Sequence, residues 1–424
     1  MLRFLTSGES HGPALIALIE GLPRGVPLNI ERINEELRRR QLGYGRGSRQ
    51  KIESDRIEVL AGVRHGITTG APITFLIRNR DFENWKYVMS SDEVDVSSPD
   101  VSEQLAKKAI ENFRPGHADL AGTLKFDQSD IRDVLERASA RETAARVAAG
   151  ALCQELLAAV GVRAVGHVIQ VGSVKSSAVS DNFSLAEIEE RALQSELFCI
   201  DGEATEGMKA LIKKCWQDGD SLGGVVEVLV EDLPVGLGSY TQWDRKLDGR
   251  LAQAVMSIQA FKAVEVGDGV RGAGLPGSSV HDALYPAQAG SAWPFSRRSN
   301  RAGGLEGGMT NGERLVVRGY MKPLPTMRAG LDSLSFPDFE AARAHYERSD
   351  VCAIAAASVV MKAMVCFVLA DALLDKFASD TLADLQASLD QYVERVRKKA
   401  APGLTAPRAG KVQKDEDPDS IGEF

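Results

Sequence analysis

The sequence predicts an α+β protein made of two related halves with a layer of helices at its centre. Three observations lead there. Residues 8–23 read GESHGPALIALIEGLP and residues 219–234 read GDSLGGVVEVLVEDLP, so a Gly-acid-Ser-x-Gly loop, an alternating apolar strand and a Leu-Pro stop recur 211 residues apart. Self-similarity at a fixed offset, present in only two copies, indicates a duplicated unit and not a solenoid. The same offset pairs Glu136-Arg137 with Glu347-Arg348, and each pair runs into an alanine-rich helical stretch. Those stretches have few large side chains, so the two helices can pack closely against each other. A third echo, GITTG at 66–70 against GMTNG at 308–312, has an offset of 242, as insertions would cause. The copies differ where chemistry would sit. His11 faces Leu222, and Ser139 faces Asp350, which suggests one asymmetric site built by both halves.

The elements follow in order. Residues 2–5 and 14–19 read as strands around the GESHG loop. Residues 30–40 form a helix with Ile33 and Leu37 on one apolar stripe, and Asn29 is its N-cap. Residues 41–51 (QLGYGRGSRQK) are a glycine-rich basic loop, either solvated or a flap that closes arginines on an anion. Strands at 57–63 and 71–77 are joined through the 66–70 turn. Residues 78–101 read as loop and 104–112 as helix. The run from Arg137 through Leu157 reads as one long helix, and 163–174 as a strand. Residues 175–216 look like an insertion with a helix at 185–194. The second copy then gives a strand at 225–230, a helix at 243–259, a strand at 260–267, a long excursion at 268–300 and a strand at 314–318. Residues 322–326 (KPLPT) are stiff and extended. The resulting organisation is one catalytic domain over 1–397, with halves at about 1–165 and 210–380, an insertion at 175–209 and a disordered tail over 398–424.

Composition narrows the function. With 44% hydrophobic and 26% charged residues the chain is an ordinary globular protein. A formal net charge of −8 argues against general nucleic-acid binding. Five scattered cysteines, with no metal spacing, fit a reducing cytoplasm. No secretory signal pattern opens the chain, and the apolar stretch 351–370, interrupted by Lys362, reads as a buried helix too short to span a bilayer. No Rossmann turn, P-loop, HExxH or nucleophile elbow is present. What remains is a set of arginines (Arg40, Arg46, Arg49, Arg114, Arg137, Arg141, Arg348), two loop histidines (His11, His117) and Asp350. The Arg-Ala-Ser and Arg-Ser-Asp runs read as anion sites at helix starts. The sum suggests a small polyanion held by arginines beside acid–base groups.

Taken together, GESHG at Gly8, RPGHAD at Arg114, RASARET at Arg137, GDSLGG at Gly219, SIQAFKAVEVGDG at Ser257, GGLEGGMTNG at Gly303 and RSD at Arg348 resemble the chorismate synthase family. The resemblance covers residues 1 to about 380. It implies a β-α-β sandwich with central helices between antiparallel sheets, and usually a homotetramer. The implied reaction converts 5-enolpyruvylshikimate 3-phosphate to chorismate with reduced FMN and no net redox change. By position, His11 resembles the histidine that keeps the reduced flavin suitably protonated, and His117 the one beside the leaving phosphate. Asp350 resembles the acid that helps remove the proton, and Ser10 and Ser139 serines near flavin and substrate. The resemblance places FMN against Arg137, Ala138, Ser139, Gln259, Ala260, Gly307, Lys322, Pro323, Leu324, Pro325, Thr326 and Arg348. It places the substrate's phosphate and carboxylates against Arg40, Arg46, Arg49, Arg114, Arg137 and Arg348. An external flavin reductase supplies reduced cofactor in members of this type, with NADPH as an indirect reductant only. Two other readings compete. A flavin oxidoreductase predicts a nicotinamide site, and an anion- or RNA-binding protein predicts strongly salt-dependent binding.

Overall fold

A computed structural model describes residues 1–47, 54–287, 293–347, 350–377 and 380–399. The first half opens with β1 (Arg3–Ser7) and β2 (Ala14–Glu20), continues through helix α1 (Ile30–Gln41) and closes with β3 (Glu58–Ala61) and β4 (Ile73–Arg78). All pairings are antiparallel, in the order β1-β2-β4-β3. The second sheet contains β5 (Arg163–Val171), β6 (Val174–Lys175), β7 (Gly224–Glu231), β8 (Phe261–Val266) and β9 (Leu315–Met321). Its order is β8-β9-β7-β5-β6. Apart from the short β6, both sheets run first–second–fourth–third. In both, the third–fourth pairing carries a register shift, at Val59/Ala61 and at Phe261/Ala263.

A hydrogen-bond motif repeats as well. Thr68 Oγ1 donates to the Pro23 carbonyl at 2.7 Å and accepts from Val26 N–H at 2.9 Å. Thr310 Oγ1 donates to the Pro234 carbonyl at 2.6 Å and accepts from Leu237 N–H at 2.8 Å. The duplication read from GITTG and GMTNG is therefore present atom for atom at these threonines.

The second unit begins earlier than residue 210. Strand β5 pairs with β7 along its length and so occupies the place β1 has in the first sheet. The intervening insertion holds two helices, Leu185–Gln194 and Gly202–Asp218, where the sequence suggested one.

Between the sheets lie α2 (Thr143–Ala159) and α3 (Ile354–Lys376). Helix α2 packs on the first sheet, α3 on the second, and the two pack most extensively on each other. Their starts are again 211 residues apart. Contact is close because Gly150 has no side chain: a Cβ there would stand 2.4 Å from the Ala363 carbonyl oxygen. The inner faces supply Leu15, Ala17, Ile19, Ile73, Phe75 and Ile77 from one sheet and Val226, Val228, Val230, Leu315 and Val317 from the other, all fully buried. Each Val, Leu, Ile or Phe among them contributes about 1.5–3 kcal/mol of burial free energy.

Helix α3 is long and apolar enough, by length and composition, to cross a membrane, which corrects the expectation that Lys362 leaves it too short. Its apolar window is 89% buried inside the fold, as in a core helix. Lys362 is tolerated there because its ammonium reaches Glu36 of α1 at 2.8 Å. The final helix runs over Leu382–Lys399, two residues into the segment expected to be disordered; the remainder of that tail lies outside the described residues.

Candidate functional site

The GESHG turn is fixed by its glycine and by one asparagine. Gly8 has φ +98°, and a Cβ on it would stand 2.2 Å from the Ala14 carbonyl oxygen. Asn79 Nδ2 donates to the carbonyls of Glu9 and Gly12. The turn lies against the Arg137 stretch, where the sequence expectation needs correcting. The run is not one helix, and Arg-Ala-Ser does not start one. A helix over Ile131–Ala138 ends at Ser139, a short 3-10 turn covers Ala140–Glu142, and α2 then begins at Thr143. Ser139 caps that turn, its Oγ accepting from Arg141 N–H. Arg137 sits in the last turn of the preceding helix, where a cation suits the C-terminal dipole.

At this break the distant segments meet. Ser139 Oγ donates to Ser10 Oγ at 3.2 Å, and Ser10 N–H donates to the Glu136 carbonyl at 3.1 Å. Glu136 takes the His11 backbone N–H at 2.8 Å, the His11 ring Nδ1 at 2.9 Å and Arg132 Nη1 at 2.8 Å. Burial pushes the Glu136 carboxyl upward, but the bonds and charges of His11 and Arg132 outweigh it and hold the group below its ordinary value. The imidazole of His11 stacks on Trp85, with centroids 3.8 Å apart, and Lys108 and Arg132 place cations over the same indole.

The RPGHAD loop forms a second cluster. Asp119, fully buried, holds His117 Nδ1 at 2.5 Å and Arg114 Nε at 2.8 Å. Burial would raise its carboxyl, yet His117 and Arg114 bring it down to about 2. Arg114 also donates to Thr326 Oγ1, and Lys322 Nζ donates to the Gly116 carbonyl at 2.7 Å. The KPLPT segment is thus fastened to this loop, and the Leu324 carbonyl accepts from Ser221 Oγ. Glu347 joins the two clusters. It lies 3.7 Å from Arg132. Burial works to raise its carboxyl, but His345, 3.9 Å away, and the charges of Arg132, Arg114 and His11 pull it down to about 2.

Arg40 is buried beneath the 3-10 turn. It donates to Thr143 Oγ1, Asp55 and the Ala140 carbonyl, and burial lowers its guanidinium to about 10. Arg141 shares Asp55 and binds Asn79 Oδ1. Arg46 and Asp350 form an ion pair at 3.3 Å, and Gly47 N–H donates to Asp350 at 2.6 Å. Arg137 donates to Thr6 and to the Gly8 carbonyl. Gln259 Nε2 donates to Glu142, and Ala260 holds φ +69° while its carbonyl accepts Lys322 N–H. Gly307 has φ +60° with nothing where a Cβ would stand. Arg49, Lys51 and Arg348 lie outside the described residues.

Sequence reasoning overlooked Glu136, Asp119, Asp55 and Trp85 as members of this arrangement. Asp119 had a signal, since an acid two residues after a loop histidine can reach its ring. Glu136 had another: the duplication kept it, as Glu347, alongside its arginine.

The chain matches the family model described as Chorismate synthase over residues 2–374. The chain belongs to the chorismate synthase family. Curated relatives named chorismate synthase include one from Desulforamulus reducens, 52% identical over 94% of this chain and 100% of its own. Another, from Brevibacillus brevis, is 51% identical over 92% and 98%. A solved structure titled "Crystal Structure of Chorismate Synthase" superposes with a TM-score of 0.72 at 39% identity, covering 94% of this chain and 98% of that one. As a chorismate synthase family member the chain is a lyase of aromatic amino-acid biosynthesis, and its reaction removes phosphate and a ring hydrogen from 5-enolpyruvylshikimate 3-phosphate to give chorismate.

Proposed function

We propose that this elimination takes place where the GESHG turn, the RPGHAD loop and the break at Ser139 converge, with reduced FMN as cofactor. The observation that carries the reading is that convergence. Two loop histidines, each on a buried carboxylate, and three arginine groups come together from segments spread over the whole chain. The substrate carries one phosphate and two carboxylates, which suit Arg40, Arg46, Arg49, Arg114, Arg137 and Arg348 by charge and by the planar fork of guanidinium. His117, beside Arg114, serves the departing phosphate. Asp350 takes the ring proton, and Arg46 and Gly47 N–H orient its oxygens. His11 holds a proton for the flavin, and Ser10 and Ser139 line the same edge.

The residues around Gln259 fit a flavin. Gln259 Oε1 is buried and without a hydrogen-bond partner among the described residues, an acceptor suited to a ring N–H. Gly307, also in the expected contact set, has open space where a Cβ would stand. Arg137, Ala138, Ser139, Ala260, Lys322 to Thr326 and Arg348 complete the proposed cradle. When bound, reduced FMN supplies an electron transiently to the substrate, which no side chain of the set can do.

The same proposal includes a homotetramer in the cytoplasm served by an external flavin reductase, with NADPH acting indirectly. Support for assembly comes from the first sheet, where the paired Leu5 and Leu18 are 53% and 37% exposed and Leu60 is 58% exposed; exposed apolar surface of this kind suits an interface. The test is anaerobic phosphate release from 5-enolpyruvylshikimate 3-phosphate. Release with reduced FMN and none without it is expected. Equal turnover with oxidised FMN and no reductant defeats the reading.

A further inference from the structure

Both loop histidines are anchored in the same way by carboxylates outside the expected catalytic set. His11 Nδ1 lies 2.9 Å from both Glu136 oxygens, and His117 Nδ1 lies 2.5 Å from Asp119 Oδ1. Each carboxylate also takes a backbone N–H of its loop, that of His11 at 2.8 Å and that of Arg114 at 3.3 Å. Each is shared with one arginine, Arg132 or Arg114. The side chains of Glu136 and Asp119 are both fully buried. An ionised carboxylate only accepts hydrogen bonds, so the ring nitrogen facing it must carry the proton. Both acids are ionised at neutral pH, since their partners hold them below ordinary values.

We propose that Glu136 and Asp119 are positioning residues that fix His11 and His117 as Nδ1–H donors, so that both rings turn Nε2 to the ligand. Among the described residues His11 Nε2 has no hydrogen-bond partner, and His117 Nε2 has only the guanidinium of Arg114, 3.5 Å away. The same guanidinium nitrogen lies 3.0 Å from Nδ1, but the Asp119 carboxylate is nearer to that ring nitrogen, at 2.5 Å, and takes the Nδ1–H. The charged groups facing His11 are Glu136, Arg132 and Glu347, with Lys108 across Trp85. Those facing His117 are Asp119 and Arg114, with Lys322 on the adjoining carbonyl. At the equivalent place in the second half Leu222 stands where His11 does, and Glu347, the counterpart of Glu136, faces Arg132 at 3.7 Å and His345 at 3.9 Å. The proposal rests on the reading that His11 and His117 serve the elimination.

The test begins with the full chain, labelled with 15N-histidine and without substrate or flavin. Long-range 1H–15N correlations report which ring nitrogen carries the proton, and His11→Ala and His117→Ala assign the signals. Both rings are expected as Nδ1–H; finding either as Nε2–H overturns the proposal for that ring. Glu136→Gln and Asp119→Asn place an amide, which can donate, against Nδ1. The ring is then expected to move its proton to Nε2, and kcat to fall ~10–100-fold with KM changed far less, the usual scale for an outer partner of a functional histidine. Unchanged tautomer and unchanged kcat overturn the proposal. A moved proton with unchanged kcat also overturns it, since the positioning then has no consequence. If either variant fails to fold, the wild-type spectrum and the other variant decide. Nδ1–H rings in a wild-type protein that releases no phosphate with reduced FMN leave the dyads standing and defeat the functional reading instead.

Discussion

The two sheets share a strand order but treat their outer faces in opposite ways. In the first sheet one cross-strand row reads Ser7–Ile16–Leu76–Glu58. The equivalent row of the second reads His167–Glu227–Arg318–Glu265. The second row is a charged ladder: His167 Nε2 lies 3.0 Å and Arg318 Nε 2.7 Å from Glu227, and Tyr320 donates to Glu265. His167 and Glu227 are nonetheless buried, because the insertion folds over this face and Arg314 ties its backbone down at Ser180 and Phe183. Among the described residues the first sheet has no such cover, and its row stays half apolar, with Ile16 and Leu76 only partly buried. The comparison teaches that a duplicated scaffold diverges in what covers it before it diverges in how it folds.

The largest expected effect lies in the charged row. Glu227→Ala strands Arg318 and His167 without their acceptor and should cost about 3–5 kcal/mol in urea unfolding. Ile16→Ala, its counterpart, should cost about 1 kcal/mol, as expected on an open face. Equal losses would show that the rows are not different in kind. Acid should sharpen the contrast. Burial alone would raise Glu227, but His167 and Arg318 hold it at about 2. A depressed carboxyl stabilises the fold above its unfolded value near 4 and loses that contribution as pH falls toward 2. Stability measured from pH 5 to pH 2 should therefore fall more steeply in the wild type than in Glu227→Gln.

Next come the proposed catalytic positions. His11→Ala and Asp350→Asn should each slow single-turnover chemistry by ~100-fold or more. Leu222→Ala, the counterpart of the first, should lower the melting temperature and leave chemistry nearly intact. If Leu222→Ala slows chemistry as much as His11→Ala without loss of stability, the site is not asymmetric. A smaller effect, and a matched one, is expected at the repeated threonines. Thr68→Ala and Thr310→Ala each remove one donor and one acceptor and should cost about 1–3 kcal/mol apiece; a large mismatch would mean the hairpins are not equivalent. Smallest in stability is Leu18→Glu, within about 0.5 kcal/mol for a surface site. Its readout is size by light scattering, where a shift to smaller species is expected and an unchanged assembly would clear this face of any role.

Much of this was legible in the sequence, for a physical reason. Strand alternation, the Asn29 cap and the repeated loops are local signals, and the structure returns them: Asn29 accepts from Arg32 N–H, and α1 covers the expected residues. Tertiary signals were lost. The break at Ser139 was invisible because Arg-Ala-Ser-Ala-Arg-Glu is made of residues that a helix tolerates, and only contacts to Ser10 and Arg141 select the turn. The helix over Pro99–Lys108 was placed too late, although Ser98-Pro99 is a good helix start. Glu136 and Asp119 look like surface acids until the fold buries them against imidazoles.

One feature of the core reaches further than the stability of a single helix. The pair between Glu36 and Lys362 joins the first half to the second, and it is made once. At the position in α2 equivalent to Lys362 stands Ala151, 211 residues earlier. Two first halves meeting each other would set Glu36 opposite that alanine, leaving its carboxylate with Arg39 of its own helix and without the lysine. The Glu36–Lys362 pair therefore favours contact between unlike halves over contact between copies. The two halves are not interchangeable at this pair, just as they are not at His11 and Leu222.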